Sequence, residues 1–437
     1  MRFRASEVAA ATGGRLWGPD VEIDGVSFDS RVIQPGQLFV PIVAERDGHE
    51  FIASAIQRGA SAYLTARGAE RDAPAAPGST AIEVGDTIEA LTSLATIQRA
   101  TFRGPVVGVT GSVGKTSTKD LLRAALGASR LTWANERSFN NEQGLPTTLL
   151  NTPDGTEVMV LEMGMRGFGE IAALCRVARP TVGVVTRVAE AHNDRLGGIE
   201  GVARAKTELV HALPVDGTAI LNADDHRVKA MACLGPASVV LFGSHHDADV
   251  RITDLRLDDH ARPSFRIHTP WGTHEVRLGV SGRHMASNAA AALACVGVVG
   301  GDVAAGASAL TDVGLTAMRM EVSPTRDGGI VLNDSYNANP TSMRAALDAL
   351  ADMRGHRKVA VLGMMAEIVD PEAEHLAIVE YAHGHGIEVI AFGTDLYGIK
   401  PCADPAAELG SVARGEAVLV KGSRVVGLER VAAALLA

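Results

Sequence analysis

A short β-branched run, Val106-Val107-Gly108-Val109, leads into Thr110-Gly111-Ser112-Val113-Gly114, and a helical pattern starts at Lys115. This order of strand, glycine loop and helix constrains the chain more than any other feature. The N–H groups of such a loop and the helix N-terminus together form a concave donor surface that fits phosphate oxygens. Lys115 adds a mobile positive charge for the terminal phosphates, and the Thr116 hydroxyl stands where Mg2+ would bind. The spacing departs from the G-x-x-x-x-G-K-[ST] pattern: Val109 occupies the place of the first glycine, with Gly108 and Gly111 on either side. A glycine turn without a ligand is the alternative, and the context favours nucleotide binding.

The same texture recurs along the chain. Strand candidates at Val158–Leu161, Val182–Val185 and Ala219–Leu221 are separated by amphipathic segments, which predicts a parallel sheet with helices on both faces. From about Asp249 to Leu278, Thr, His, Arg and Val alternate with turn residues and predict a few antiparallel strands. After Met320 the strand and helix alternation returns at Ile330–Leu332, Val359–Leu362, Val389–Phe392 and Val418–Val420, as in a second, Rossmann-like α/β domain. The first stretch has its own strand and turn signals around Val26–Asp29 and Gln34–Gln37, before a helical Thr87–Arg103. At 437 residues a single core is not expected. We read an α/β chain of three domains: a small N-terminal α/β domain over 1–84, a central P-loop domain with parallel sheet and small antiparallel addition over 85–312, and a C-terminal domain over 313–437.

Mg2+ takes hard oxygen ligands, so acidic residues at strand ends near the loop are candidates. Glu162 directly follows Val158–Leu161, and the segment Glu190-Ala191-His192 is expected at the same carboxyl edge. Between Ile199 and Leu213 the apolar positions Ile199, Val202, Leu209 and Leu213 follow helical spacing, and Lys206 interrupts their stripe. An ammonium there needs a partner or a lowered pKa. A lysine snorkelling from the edge of the stripe is the other reading.

The formal charge of −10, from 41 basic and 51 acidic residues, argues against nucleic acid or anionic membrane surfaces as general partners. Cys175, Cys233, Cys295 and Cys402 are far apart with no C-x-x-C pair, so neither zinc nor a disulfide framework is expected, and a reducing cytoplasm fits. Ala5-Ser6-Glu7 stands where a signal peptide would have its apolar core, so no export signal is expected. The Ala-rich run Ala289–Val299 is too short to span a bilayer and reads as a buried helix.

The string Thr110–Ser117 resembles the phosphate loop of the Mur ligase family, which has this variant glycine spacing. The resemblance continues through Phe139-Asn140-Asn141-Glu142-Gln143-Gly144, Glu162-Met163-Gly164, Ala191-His192, Ala205-Lys206-Thr207-Glu208 and Leu221-Asn222-Ala223-Asp224. It extends through Gly282-Arg283-His284 with Asn288, Arg319-Met320-Glu321, Asn333 to Pro340 and Val420-Lys421-Gly422-Ser423-Arg424. It implies an ATP-dependent ligase that joins D-alanyl-D-alanine to UDP-N-acetylmuramoyl-tripeptide through an acyl phosphate, with Mg2+; a monomer is the default expectation, and the cysteine usage fits the cytoplasm. By the same resemblance the first domain holds the UDP end, with Ser30 and Arg31 in the contacting segment, and Asn140, Asn141 and Asn339 also face substrate. Thr110, Gly111, Ser112, Val113, Gly114, Lys115, Thr116 and Ser117 take the phosphates; Asn288, Arg319, Asp334, Tyr336 and Asn337 complete the ATP site. Thr116, Glu162, His192 and a carbamylated Lys206 take the metal, and Lys115, Glu162, His192 and Lys206 serve catalysis. A ligase of this family with another acceptor, or a scaffold without catalysis, are the competing readings. Local departures bear on the acceptor: Gly363-Met364-Met365 replaces Gly-Asp-Met, and Gly167-Phe168-Gly169 stands where His-Pro-Gly is common.

Overall fold

The computed structural model describes residues 2–66, 79–136, 138–189, 196–366 and 368–437. The chain forms two compact units, one comprising Met1–Gly108, Leu131–Gly164 and Glu170–Pro180, the other Val109–Arg130, Met165–Gly169 and Thr181–Ala437. The division passes through strand Val106–Thr110 itself.

In the first unit a five-stranded sheet runs Arg15–Trp17, Thr80–Val84, Ala62–Ala66, Leu38–Phe39, Val26–Ser27, antiparallel at the first pair and parallel thereafter. Its edge strand Val26–Ser27 is only two residues long, and the backbone of Val26 is satisfied by a side chain. Val26 N–H donates to Asn151 Oδ1 at 2.8 Å, and Asn151 Nδ2 donates back to the Val26 carbonyl at 2.9 Å. Such a pairing closes an edge that would otherwise template another strand. The predicted helix is observed over Thr87–Thr101, where the Asp86 carboxylate caps Ile88 and Glu89 N–H and Ala90, Leu91, Leu94, Ala95 and Gln98 form the buried stripe. Strands Thr132–Ala134 and Val158–Glu162 pair in parallel in this unit.

In the second unit strands Val182–Val185, Thr218–Asn222, Ser238–Gly243 and Val250–Leu257 pair in parallel. Pro263–Thr269 and Gly272–Arg277 then add antiparallel strands to the same edge. The antiparallel segment expected from Asp249 to Leu278 therefore continues the parallel sheet, with Val250–Leu257 pairing in parallel on one side and antiparallel on the other. Helix Met285–Val298 buries nearly every position, as a helix apolar on almost all sides must, and packs on helices Lys115–Gly127 and Val303–Ala309.

The same unit carries a further five-stranded sheet in the order Glu321–Pro324, Ile330–Asn333, Glu416–Lys421, Arg357–Gly363, Glu388–Phe392. Its first pair is antiparallel and the rest parallel. Val331, Val359, Val361, Val418 and Val420 pack together with Leu428 and with Val431 and Ala432 of the last helix, Glu429–Leu436. Among the described residues no helix is long and apolar enough to cross a membrane.

Candidate active site

The glycine loop is shaped by what surrounds it. Gly111 has φ +153°, and a Cβ there would lie 1.9 Å from Thr186 Oγ1; Gly114 has φ +84°, and a Cβ there would lie 2.9 Å from Asn288 Oδ1. Glycine is required at both places by closeness as much as by conformation. Thr186, the residue after strand Val182–Val185, holds the loop by donating from its hydroxyl to the Val113 carbonyl at 2.7 Å, while its N–H donates to the Thr110 carbonyl at 3.0 Å. Asn222 fixes Thr186 in turn, Nδ2 donating to its carbonyl at 2.7 Å. Ser112 completes the frame, with its N–H on the Arg187 carbonyl at 2.7 Å and its hydroxyl donating to the Ala189 carbonyl at 2.9 Å. Thr118 N–H donates to the Gly114 carbonyl, opening helix Lys115–Gly127. The result is a loop whose curvature is fixed by the protein's own hydrogen bonds, which is what electrostatic preorganisation needs.

Lys115 folds its ammonium back onto the Gly111 carbonyl at 2.8 Å, and Thr116 is buried. Arg319 approaches from the C-terminal part of the unit, Nη2 donating to Thr116 Oγ1 at 3.4 Å and the guanidinium carbon lying 4.1 Å from the Tyr336 ring centroid. Arg319 Nε is buried without a hydrogen-bond partner among the described residues. Asp334 is buried, accepting the Met320 N–H on Oδ1 at 3.1 Å and the Lys421 ammonium on Oδ2. Asn288, Arg319, Asp334 and Tyr336 are thus all within one unit with the loop. Asn337 is exposed and accepts the Ala338 N–H on its own Oδ1. Ser117 lies buried on the first turn of the loop's helix.

Lys206 sits on helix Ile199–His211 beside the buried Val202, Ala205, Leu209 and Val210, and is itself only 3% exposed. Burial first, and the positive charge of Lys115 second, push its ammonium well below the ordinary lysine range. The snorkelling alternative does not describe a side chain this buried. His192 lies outside the described residues.

In the first unit Glu162 ends strand Val158–Glu162 and is 1% exposed. Its N–H donates to Asn135 Oδ1 at 2.9 Å, and its Oε1 accepts from Asn140 Nδ2 at 2.7 Å. Oε2 is buried with no hydrogen-bond partner among the described residues. A buried carboxylate oxygen without a partner carries a desolvation cost that a hard cation would offset, so this donor fits Mg2+. Asn140, expected to face substrate, therefore orients this carboxylate, and Asn141 accepts the Gly144 N–H on Oδ1 at 3.0 Å. In the N-terminal sheet region Arg31 is exposed with its guanidinium paired to Asp29, and Ser30 is buried. Asn339 caps helix Pro340–Asp352, Oδ1 accepting from Ser342 N–H at 2.8 Å.

Three residues that hold this arrangement carry no role in the sequence reading: Asn135, Thr186 and Lys421. Each directly follows a strand or closes one, and that edge placement was the available signal.

Residues 22–99 match the Mur ligase family catalytic domain, 109–296 the Mur ligase middle domain and 318–435 the Mur ligase glutamate ligase domain. The UDP-N-acetylmuramoyl-tripeptide--D-alanyl-D-alanine ligase of Mycobacterium bovis is 39% identical over 94% of this chain and 92% of its own length. The protein of that name from Escherichia coli K12 is 34% identical over 98% and 97%. Among solved structures, MurF from Acinetobacter baumannii superposes with a TM-score of 0.87 at 27% identity, covering 100% of this chain and 99% of its own. MurF ligase from Thermotoga maritima, in complex with ADP, gives 0.80 at 28% identity, covering 94% and 96%.

Proposed function

From the premise that this chain belongs to the Mur ligase family, with relatives at 39% and 34% identity across 94% and 98% of its length, we propose that it joins D-alanyl-D-alanine to UDP-N-acetylmuramoyl-tripeptide with hydrolysis of ATP to ADP and phosphate. The product is the UDP-linked pentapeptide of peptidoglycan synthesis. The observation that supports the reading most is the glycine loop anchored on Thr186, with the Lys115 ammonium on the Gly111 carbonyl and the Arg319 guanidinium on the Thr116 hydroxyl.

A carboxylate is a poor electrophile, so the terminal carboxylate of the tripeptide first attacks the γ-phosphorus of ATP, forming an acyl phosphate and releasing ADP. The free amine of D-alanyl-D-alanine then attacks the acyl carbon; the tetrahedral intermediate loses its proton and expels phosphate, leaving the amide. Phosphoryl transfer asks the protein mainly for positioning and charge neutralisation. Loop N–H groups from Thr110 to Ser117 cradle the phosphates, Lys115 moves from Gly111 onto them, and Arg319 neutralises charge that develops on the transferred group. Asn288 and Tyr336 flank the nucleotide, with Asp334 and Asn337 beside them. Mg2+ supplies charge neutralisation on the phosphates when bound; Thr116, Glu162, His192 and Lys206 are its assigned holders. Lowering the pKa of a buried lysine shifts it toward the neutral amine, the form that CO2 carbamylates, and the carbamate offers an anionic oxygen in place of the cation.

Ser30, Arg31, Asn140, Asn141 and Asn339 are the assigned substrate contacts. Asn339 has its Nδ2 to offer, because its Oδ1 is committed to the helix cap. Domains at 1–84, 85–312 and 313–437 divide UDP end, ATP and incoming dipeptide among them. ATP and UDP-linked precursors are cytoplasmic metabolites, which puts the enzyme in the cytoplasm, and we assign it as a monomer.

The experiment is phosphate release from ATP with the UDP-linked tripeptide, with and without D-alanyl-D-alanine, following the peptide by mass. Release that needs both substrates and yields the pentapeptide is expected. Release without pentapeptide when both are present would instead point to a ligase with another acceptor.

A further inference from the structure

Arg319 stands on an unusual piece of backbone. The residues on both sides of it are in the left-handed region, Met318 at φ +62° and Met320 at φ +50°, a conformation that non-glycine residues adopt only when their surroundings enforce it. The enforcing contacts are visible. Met320 N–H donates to Asp334 Oδ1 at 3.1 Å, and the Met318 carbonyl accepts from Tyr336 N–H at 3.3 Å. Both partners belong to the segment after strand Ile330–Asn333, so the bend that carries Arg319 is tied on either side to one loop.

That loop is in turn tied to the neighbouring strand. Asp334 N–H donates to the Val420 carbonyl at 2.9 Å, and Lys421, last residue of strand Glu416–Lys421, sends its ammonium beneath the loop. The ammonium contacts Asp334 Oδ2 and donates to the Asn337 carbonyl at 2.9 Å. Lys421 is 1% exposed. An ammonium buried this deeply is expensive to keep, and no substrate role accounts for it, since its donors are used within the protein.

We propose that Lys421 is a positioning residue for the nucleotide site: through Asp334 and Met320 it holds the bend that aims Arg319 at Thr116. The carboxylate of Asp334 can accept Met320 N–H in one fixed orientation because its other oxygen is held by Lys421. Without that cation, Asp334 is a buried unpaired charge that turns toward other donors, and the Arg319 bend relaxes from its strained conformation. Arg319 is the other charge that acts on Lys421; His284, whose protonation burial disfavours, faces both members of the pair and is itself acted on by Asp348 and Arg187.

This inference rests on the proposed role of Arg319 in ATP-dependent ligation, and the test separates the two. Lys421→Met, which preserves volume and removes the charge, is measured in the full-length wild-type and Arg319→Ala backgrounds, with rates corrected for the folded fraction. Misplacing a transition-state group by about 1 Å costs on the order of 100-fold in rate. We expect Lys421→Met to lower kcat by about that factor in the wild-type background, with KM for the tripeptide unchanged, and by less than about twofold in the Arg319→Ala background. Lys421→Arg, which keeps a cation, is expected to recover part of the loss. Equal losses in both backgrounds, or no loss in either, would overturn the proposal. If Lys421→Met does not fold, Lys421→Gln, neutral but still a donor, takes its place in the same cycle with the same criterion. The cycle is also read on ATP affinity in the absence of acceptor. A wild-type chain that binds ATP but forms no pentapeptide defeats the proposed reaction, while the coupling between Lys421 and Arg319 is still decided by the affinity cycle.

Discussion

Lys206 illustrates how one residue can break the rule of its own helix and be the more informative for it. Every neighbour on its face is apolar, and its ammonium is disfavoured by burial and by Lys115. An unfolded lysine titrates near 10.4. Because the folded value is lower, the unfolded chain binds more protons between the two values, so stability rises with pH through that window. The contribution is complete above about pH 10.4 and is lost as pH falls to the lowered folded value. In CO2-free buffer, Lys206→Met should therefore flatten the dependence of unfolding free energy on pH in the window just below about 10.4; an unchanged slope there would show that Lys206 is not the group responsible. The activity prediction is separate. Lys206→Ala should lose ligation, with partial recovery on adding short carboxylic acids that replace the carbamate, and a fully active variant would remove the carbamate from the mechanism. The stripe pattern alone showed Lys206 as out of place; that it is buried rather than snorkelling depends on packing.

Among the elements, the glycine loop and the strand end at Glu162 each depend on residues distant in sequence. A methyl group at Gly111 would collide with Thr186 Oγ1, so Gly111→Ala forces the loop from its anchor. Strain of this kind is worth roughly 1–3 kcal/mol, and ATP affinity measured by calorimetry should fall about 10- to 100-fold. Wild-type affinity in that variant would mean that the loop is not held by Thr186. Asn135 binds both the N–H of Glu162 and, through Nδ2, the Phe139 carbonyl at 2.7 Å. Asn135→Ala should cost about 1–3 kcal/mol of stability and raise the Mg2+ concentration needed for half-maximal activity. A loss of stability with no change in Mg2+ dependence would make Asn135 purely structural. The loop's sequence announced its own ligand class because glycine, lysine and threonine are contiguous there. Thr186 and Asn135 were not legible as functional, since a threonine or asparagine after a strand is common and its partner is visible only once the strands are placed.

At the scale of the whole molecule, ligand binding should be seen as stability. A ligand that binds only the folded chain adds RT ln(1 + [L]/Kd), about 2.7 kcal/mol at a hundredfold excess over Kd. ATP with Mg2+ should accordingly raise the thermal midpoint of the wild-type chain, and Arg319→Ala should show a smaller rise at the same concentrations. An unshifted wild-type midpoint at millimolar ATP would argue against nucleotide binding altogether. The alternation of strands and helices was readable along most of the chain because its periodicity is local, including the buried helix Met285–Val298 and the strands after Met320. Strand Ser238–Gly243 escaped that reading, and it is the one that joins Thr218–Asn222 to Val250–Leu257.

By itself the sequence determined the α/β class, the strand, glycine loop and helix, and the family, because each is written in contiguous residues or in a period shorter than one element. Tertiary structure alone decided which groups are committed to one another. Asn140 binds Glu162 across 22 positions, Thr186 reaches Val113 across 73, and Lys421 reaches Asn337 across 84. Hydrogen bonds act over about 3 Å of space whatever the separation along the chain, so such commitments are set by packing and leave no local pattern to read.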